Sequence, residues 1–295
     1  MMLLAGTVPL EDFPLCQGEA TLDGNRIGVD GRSFPVGMGS GAMIHAAMET
    51  LSFFGKDKPH LLLVGDRGEA TGSRKLYRKL EEIIGRQPPA ILVMHYIQPI
   101  VTLMDSLCRT ILKGTSKPVM IADAGSLYAA KAAGRARDFD ILTPDLAEMK
   151  FLADSTAMHP AYVSNFFLQT GKSDVPDLIR RAWLENNAPR YLLVKGKTDY
   201  VAEEGKVIHR VSTPDLPLLE PIGGTGDTIT GIAAALVHCC YPMDEALLIA
   251  CRVNREAGLL TDLRPDTRVL DLTRNIGRAL ERLTRSHAGA LQQGE

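Results

Sequence analysis

The chain has 295 residues, 45% hydrophobic and 23% charged, a composition that suits a soluble protein with a substantial buried core. Lysine and arginine number 33 against 35 aspartate and glutamate, a formal net charge of −2, so the balance points to neither nucleic acid nor an anionic membrane as a partner. Five cysteines (Cys16, Cys108, Cys239, Cys240, Cys251) without a Cys-x-x-Cys pair argue against a disulfide scaffold or a structural zinc site and for a reducing, cytoplasmic setting. No uncharged apolar run reaches membrane-spanning length, and Pro9, Glu11 and Asp12 come too early for a secretory leader.

The first 40 residues alternate weakly, with Asp23-Gly24 and Asp30-Gly31 marking turns between short strands around Ile27 and Phe34. Gly41 to Phe54 reads as a mostly buried helix and Leu61 to Val64 as a short apolar strand. A regular rhythm follows: helices over 73–85, 99–112, 125–133 and 145–153 alternate with strands over 91–95, 119–122 and 140–142. This predicts an α/β fold, a doubly wound and mostly parallel sheet with helices on both faces. Between Ala153 and Asp174 the pattern blurs, with loops at His159-Pro160 and Thr170-Gly171 around an apolar piece from Tyr162 to Leu168. A helix over 174–186 and a strand over Tyr191 to Val194 restore the order, and two short runs, Tyr200 to Ala202 and Val207 to Val211, form an antiparallel edge hairpin. Helices over 243–260 and 271–285 end the pattern, before a polar tail from Ser286 to Glu295 expected to be disordered. No linker or composition break divides the chain, which predicts a single domain over 1–285. Its apolar helices leave surface for self-association as a homo-oligomer.

The most informative stretch lies between that hairpin and helix 243–260. Pro221 to Cys240 joins a Gly223-Gly224-Thr225-Gly226-Asp227 turn to an almost uncharged helix. The glycines allow a close backbone approach, and the helix would aim its first free N–H groups and the positive end of its dipole at the turn, an arrangement suited to phosphate. Asp227 would repel a phosphate there unless it takes a proton from an attacking hydroxyl or helps to hold a metal ion; alternatively it only caps the helix.

In a doubly wound sheet ligands collect beyond the carboxyl ends of the strands, where this chain places Asp66, His95, Asp123, Asp145 and Glu148. Helix capping accounts for Asp66, Asp123 or Asp145 taken singly, and His95 alone reads more readily as structural than catalytic. Asp145 and Glu148 share one helix face, where two carboxylates could hold hydrated Mg²⁺ near transferring phosphates. Lys195, Gly196 and Thr198, after strand 191–194, could touch a nucleotide or form a solvated turn. Gly37-Met38-Gly39-Ser40-Gly41-Ala42 satisfies the loose Gly-x-Gly-x-x-Ala dinucleotide fingerprint, but the preceding strand through Arg32-Ser33-Phe34-Pro35 is poor, which favours a backbone loop approaching substrate at Gly39 and Ser40. No P-loop, Gly-x-Ser-x-Gly elbow or His-Glu-x-x-His helix is present.

The order of Thr143-Pro144-x-x-x-Glu148, Val194-Lys195-Gly196, an edge hairpin and Gly224-Thr225-Gly226-Asp227 before an alanine-rich helix resembles the ribokinase-like superfamily. Within it the chain is most similar to the ATP- or ADP-dependent NAD(P)H-hydrate dehydratases, which carry a Gly-Gly-Thr/Ser-Gly-Asp turn and an Asp-Ala pair such as Asp123-Ala124. The resemblance spans roughly 37–260. It implies an anion hole at Gly224, Thr225 and Gly226, Asp227 as catalytic base, Glu148 near Mg²⁺, and a nucleotide between Lys195 and the final helices near Asn254. The chain departs from the family at Asp145-Leu146-Ala147-Glu148, where dehydratases tend to have His-Pro-Gly-Glu, and at Gly65-Asp66-Arg67-Gly68 in place of a Gly-Leu-Gly loop. The expected chemistry is phosphoryl transfer from ATP or ADP to a small-molecule hydroxyl, with Gly39, Ser40, His95, Asp123 and Asp145 on the substrate side. Alternatives are a kinase with a stable phosphorylated product, a non-catalytic nucleotide-binding regulator, and a dinucleotide-dependent oxidoreductase using the Gly37 loop.

Overall fold

A computed structural model describes residues 1–159 and 174–292, with 286–292 described by backbone alone. The apolar piece expected at Tyr162 to Leu168 and the Thr170-Gly171 loop lie outside the described residues. Contacts divide the chain into two compact units, Met1–Glu19 with His60–Arg210 and Ala20–Pro59 with Val211–Glu295. Each unit is assembled from two separate stretches, a division that leaves no mark in composition.

The first unit is built on a nine-stranded sheet. Its strands are β1 (Met2–Val8), β2 (Cys16–Glu19), β6 (His60–Gly65), β7 (Ile91–His95), β8 (Val119–Asp123), β9 (Ile141–Leu142), β10 (Tyr191–Val194), β11 (Asp199–Glu203) and β12 (Lys206–Val211). They lie in the order β12-β11-β10-β9-β8-β7-β1-β6-β2. Pairing is parallel from β6 through β1, β7, β8 and β9 to β10, whereas β2 on β6 and β11 on β10 are antiparallel. Five helices alternate with these strands: α2 (Thr71–Arg86), α3 (Val101–Lys113), α4 (Gly125–Ala132), α5 (Leu146–Ala153) and α6 (Val175–Leu184). Their bounds, and those of the predicted strands, fall within two residues of the sequence-based expectation. One core runs through the unit from Leu3 to Ala202 and includes the large buried side chains Tyr77 and Phe151.

Two strands were not expected. β1, buried at every residue, pairs with β6 on one side and β7 on the other. A central parallel strand is covered on both faces and so reads as an unbroken apolar run without alternation. β2 is a short edge strand of mixed composition, Cys-Gln-Gly-Glu, with no pattern to announce it.

The second unit contains a three-stranded antiparallel sheet of β3 (Thr21–Asp23), β4 (Arg26–Val29) and β5 (Arg32–Pro35), with left-handed residues Gly24, Asp30 and Gly31 in its turns, as the two Asp-Gly pairs predict. Its helices are α1 (Ser40–Phe53), α7 (Thr225–His238), α8 (Met243–Leu260), α9 (Val269–Thr273) and α10 (Ile276–Gln292). The helix expected over 271–285 is thus two helices. The last of them continues through residues expected to be a disordered tail, because Ala288, Ala290, Leu291 and Gln292 favour helix propagation; residues 293–295 lie outside the described residues. Helices α1 and α7 pack so tightly that a Cβ on Gly231 would lie 2.1 Å from the Met43 carbonyl oxygen. Among the described residues no helix is long and apolar enough to cross a membrane.

Candidate functional site

In the second unit the glycine turn leads directly into α7. Gly224 occupies the N-cap position at φ 101°, a left-handed conformation that favours glycine, and it brings no side chain to the helix's leading N–H groups. A Cβ there would lie 3.0 Å from the Met38 Cα and 3.1 Å from the Ala42 Cβ, so packing as well as φ demands glycine. No side chain caps the helix there, and the positive end of its dipole favours an anion.

Asp227 sits in the first turn of α7 and is only 8% exposed. Because Gly224 holds the cap position, Asp227 is not the helix cap. Its Oδ2 instead accepts a hydrogen bond of 2.7 Å from the Gly39 amide, at the start of α1. Ser40, the next residue, is buried. The loop before it follows β5, which pairs antiparallel in the three-stranded sheet, so the parallel strand-helix-strand unit that a dinucleotide fingerprint needs is not formed there.

Asn254, on α8, braces the same turn. Its amide donates to the Thr225 carbonyl (3.1 Å), and its Oδ1 lies 2.5 Å from Thr228 Oγ1. The family resemblance implies a nucleotide contact for this residue; in the structure it is buried and bonded to the first turn of α7.

In the first unit, the carboxyl ends of β7, β8 and β10 bring three predicted residues together. Lys195 Nζ donates to both Asp123 oxygens at 2.7 and 2.8 Å, and His95 Nε2 lies 3.6 Å from Asp123 Oδ2. His95 and Asp123 are completely buried and Lys195 nearly so. Burial pushes the Asp123 carboxyl up, but the Lys195 ammonium and His95 outweigh it and hold the group well below the usual carboxylate range. Lys195 is thus no solvated turn lysine. The partnership joins residues 72 positions apart, which local patterns cannot show. Gly196 and Thr198 follow in the β10–β11 turn, where the Gly196 amide donates to Asp199 Oδ1 at 3.0 Å.

Asp145 and Glu148 form a capping box on α5: Asp145 Oδ1 accepts from the Glu148 amide and Glu148 Oε2 from the Asp145 amide, each at 2.8 Å. The capping expected of Asp145 is therefore realised. Burial, followed by the Asp123 charge, pushes the Glu148 carboxyl up to about 7. Each carboxylate commits one oxygen to the box and keeps the other outside it. Such an oxygen pair fits hydrated Mg²⁺, whose charge would restore Glu148 to its ionised form. The other end of α5 is also fixed, by Lys131 Nζ, which donates to the carbonyls of Phe151, Asp154 and Ala157.

Asp66 behaves as a local structural residue, accepting from the amides of Gly68, Ala70 and Ser73 and from the Ser73 hydroxyl at 2.7–3.1 Å.

The mostly parallel sheet with its interleaved helices, and the glycine turn before α7, define a ribokinase-like α/β protein. Solved structures share this fold. Pyridoxal kinase of Bacillus subtilis, in an ADP complex, superposes with a TM-score of 0.53 at 13% identity, covering 85% of this chain and 88% of that one. Pyridoxal kinase of Staphylococcus aureus with AMP-PCP and pyridoxal gives 0.53 at 13% over 87% and 88%. A mutant of phosphofructokinase-2 from Escherichia coli gives 0.57 at 15% over 95% and 100%. Residues 102–281 match the carbohydrate kinase family model described as NAD(P)H-hydrate dehydratase. An uncharacterised protein of Methanocaldococcus jannaschii is 37% identical over 239 residues, which is 81% of this chain and 98% of that protein. The chain belongs to this NAD(P)H-hydrate dehydratase family, and so to the enzymes of the carbohydrate kinase superfamily.

Proposed function

We propose that the protein transfers a phosphoryl group from ATP or ADP to the hydroxyl of a hydrated NADH or NADPH and thereby dehydrates it. The observation that carries this reading is the helix N-terminus behind Gly224, which no side chain caps, with a nearly buried carboxylate, Asp227, in its first turn. Asp227 takes the proton of the acceptor hydroxyl as its oxygen attacks the terminal phosphorus. The bond from that phosphorus to the bridging oxygen breaks, releasing ADP from ATP or AMP from ADP, and the Gly224 to Gly226 amides stabilise the developing charge. The resulting ester then loses inorganic phosphate: the carbon–oxygen bond breaks with its electron pair, and a proton leaves the neighbouring carbon, restoring the ring double bond. Asp145 and Glu148 would hold Mg²⁺, which supplies charge neutralisation to the phosphates. Lys195, Gly196, Thr198 and Asn254 are assigned to the nucleotide side, and Gly39, Ser40, His95, Asp123 and Asp145 to the acceptor side.

Incubation with hydrated NADH, Mg²⁺ and either ATP or ADP is expected to regenerate the absorbance of the reduced nicotinamide. Absence of regeneration with both nucleotides would overturn the dehydratase assignment. Product mass analysis in the same reactions distinguishes elimination from a kinase that releases a stable phosphorylated product.

A further inference from the structure

The Gly37 to Gly39 loop satisfies a dinucleotide fingerprint, yet the partner that Gly39 meets is the protein's own carboxylate. Taking Asp227 as the base, we propose that Gly39 is a positioning residue whose backbone N–H orients that carboxylate for proton transfer. The contact, 2.7 Å from Gly39 N to Asp227 Oδ2, closes 188 residues of chain. A bond to one oxygen stops rotation about the Cβ–Cγ axis and so sets the plane in which the carboxylate can accept a proton.

The conformation that presents this donor is open only to glycine. Gly39 has φ 75° and ψ −140°, a combination that L side chains essentially never adopt. Its mirror image, about −75° and +140°, is the ordinary polyproline region, so the backbone of a D residue can adopt it where that of an L residue cannot.

The loop is also held in place. The Gly39 carbonyl accepts from the Met43 amide at 3.2 Å, the first bond of α1. Met38 lies over the glycine turn: its Cε would be 2.8 Å from a Cβ on Gly223 and its Cα 3.0 Å from one on Gly224. One short loop therefore contacts the anion-binding turn through Met38 and the base through Gly39. On the loop's side the second contact is made by a backbone N–H alone, which is why residue types do not show it.

The experiment replaces Gly39 by glycolic acid through nonsense suppression, which exchanges only the N–H for an ester oxygen. With hydrated NADH, Mg²⁺ and ATP or ADP as probes, kcat is expected to fall about tenfold to a hundredfold, the value of one hydrogen bond to a charged acceptor, while the nucleotide KM stays within about twofold. Gly39→Ala should lose at least as much, and D-alanine at the same position should restore kcat to near the wild-type value. An ester variant with wild-type kcat, or a D-alanine variant as impaired as Gly39→Ala, would overturn the proposal. Asp227→Asn in the same assay reports on the base separately. If it turns over normally, the base assignment falls and the role of Gly39 with it. If it is inactive while the ester variant is normal, only the role of Gly39 is lost.

Discussion

Asp145 and Asp227 start from the same sequence cue, an acidic residue in a turn before a helix, and end in different surroundings. Asp145 closes a capping box with Glu148, whereas at Asp227 the cap position is already taken by Gly224 and the carboxylate accepts from Gly39. Which of the two acts as a cap was therefore decided by the residue that occupied the cap position, and the partner of Asp227 by a donor far along the chain. His45 carried no functional signal in the sequence, being one residue of a mostly buried helix. In the structure it is 1% exposed, its Nδ1 lies 2.8 Å from Thr273 Oγ1, and its Nε2 lies 3.6 Å from Glu49. Because Thr273 Oγ1 donates to the Leu270 carbonyl, it accepts from His45 Nδ1–H. Burial first, and the nearby Arg274 charge second, lower the His45 pKa to about 4, so the Glu49 contact is not an ion pair at neutral pH. With about 6.5 in the unfolded chain, the neutral ring contributes stability that is fully present above that pH and is lost as pH falls toward 4. Between pH 7 and 5 the wild type should lose about 2 kcal/mol through this group. Urea unfolding at the two pH values checks it: His45→Gln should lack this part of the slope. Burial raises the Glu49 pKa, so that group titrates in the opposite sense and is common to both proteins.

At the scale of elements, α1 and α7 were readable as buried helices because their runs are almost free of charge, but not as partners. Their closeness depends on Gly231, whose Cα side faces the Met43 carbonyl. Gly231→Ala would force the helices apart, and the start of α1 and the first turn of α7 carry Gly39 and Asp227. A loss of about 1–3 kcal/mol in stability and a fall in kcat are expected together, measured by urea midpoint and by turnover. Gly277→Ala, in α10, is the control: nothing lies within 4 Å of its Cβ, so stability should be unchanged or slightly higher. One of the two missed strands, β1, makes the converse point. Local pattern identifies helices and half-exposed strands well, because their periodicity records one buried face. β1 has no such record, and Gly6 and Thr7 interrupt the apolar run that marks other fully buried strands such as β7 and β10; its place between β6 and β7 is a fact of sheet order alone.

At the scale of the whole molecule, the family match covers 102–281 and so draws on both compact units. A ligand that binds only the folded chain raises its stability by about 2.7 kcal/mol at a concentration one hundred times its dissociation constant. Mg²⁺ with ADP is accordingly expected to raise the unfolding temperature by several degrees in a thermal melt. Asp227→Asn should show the same rise, since the proposed function has Asp227 act on the acceptor hydroxyl and leaves the anion to backbone amides. No shift in either protein would remove the nucleotide from the functional reading.

What the sequence determined by itself is what neighbouring residues can specify. The α/β alternation follows from side-chain periodicity. The edge hairpin and the turns at Asp23-Gly24 and Asp30-Gly31 follow from turn chemistry, and the glycine turn before α7 from the backbone freedom it requires. The tertiary structure alone decided the meetings between distant residues: Lys195 with Asp123 across 72 positions, Gly39 with Asp227 across 188, and β1 between β6 and β7. Those depend on how whole elements pack and on which backbone groups are left to bond, and neither is written in any short window of the chain.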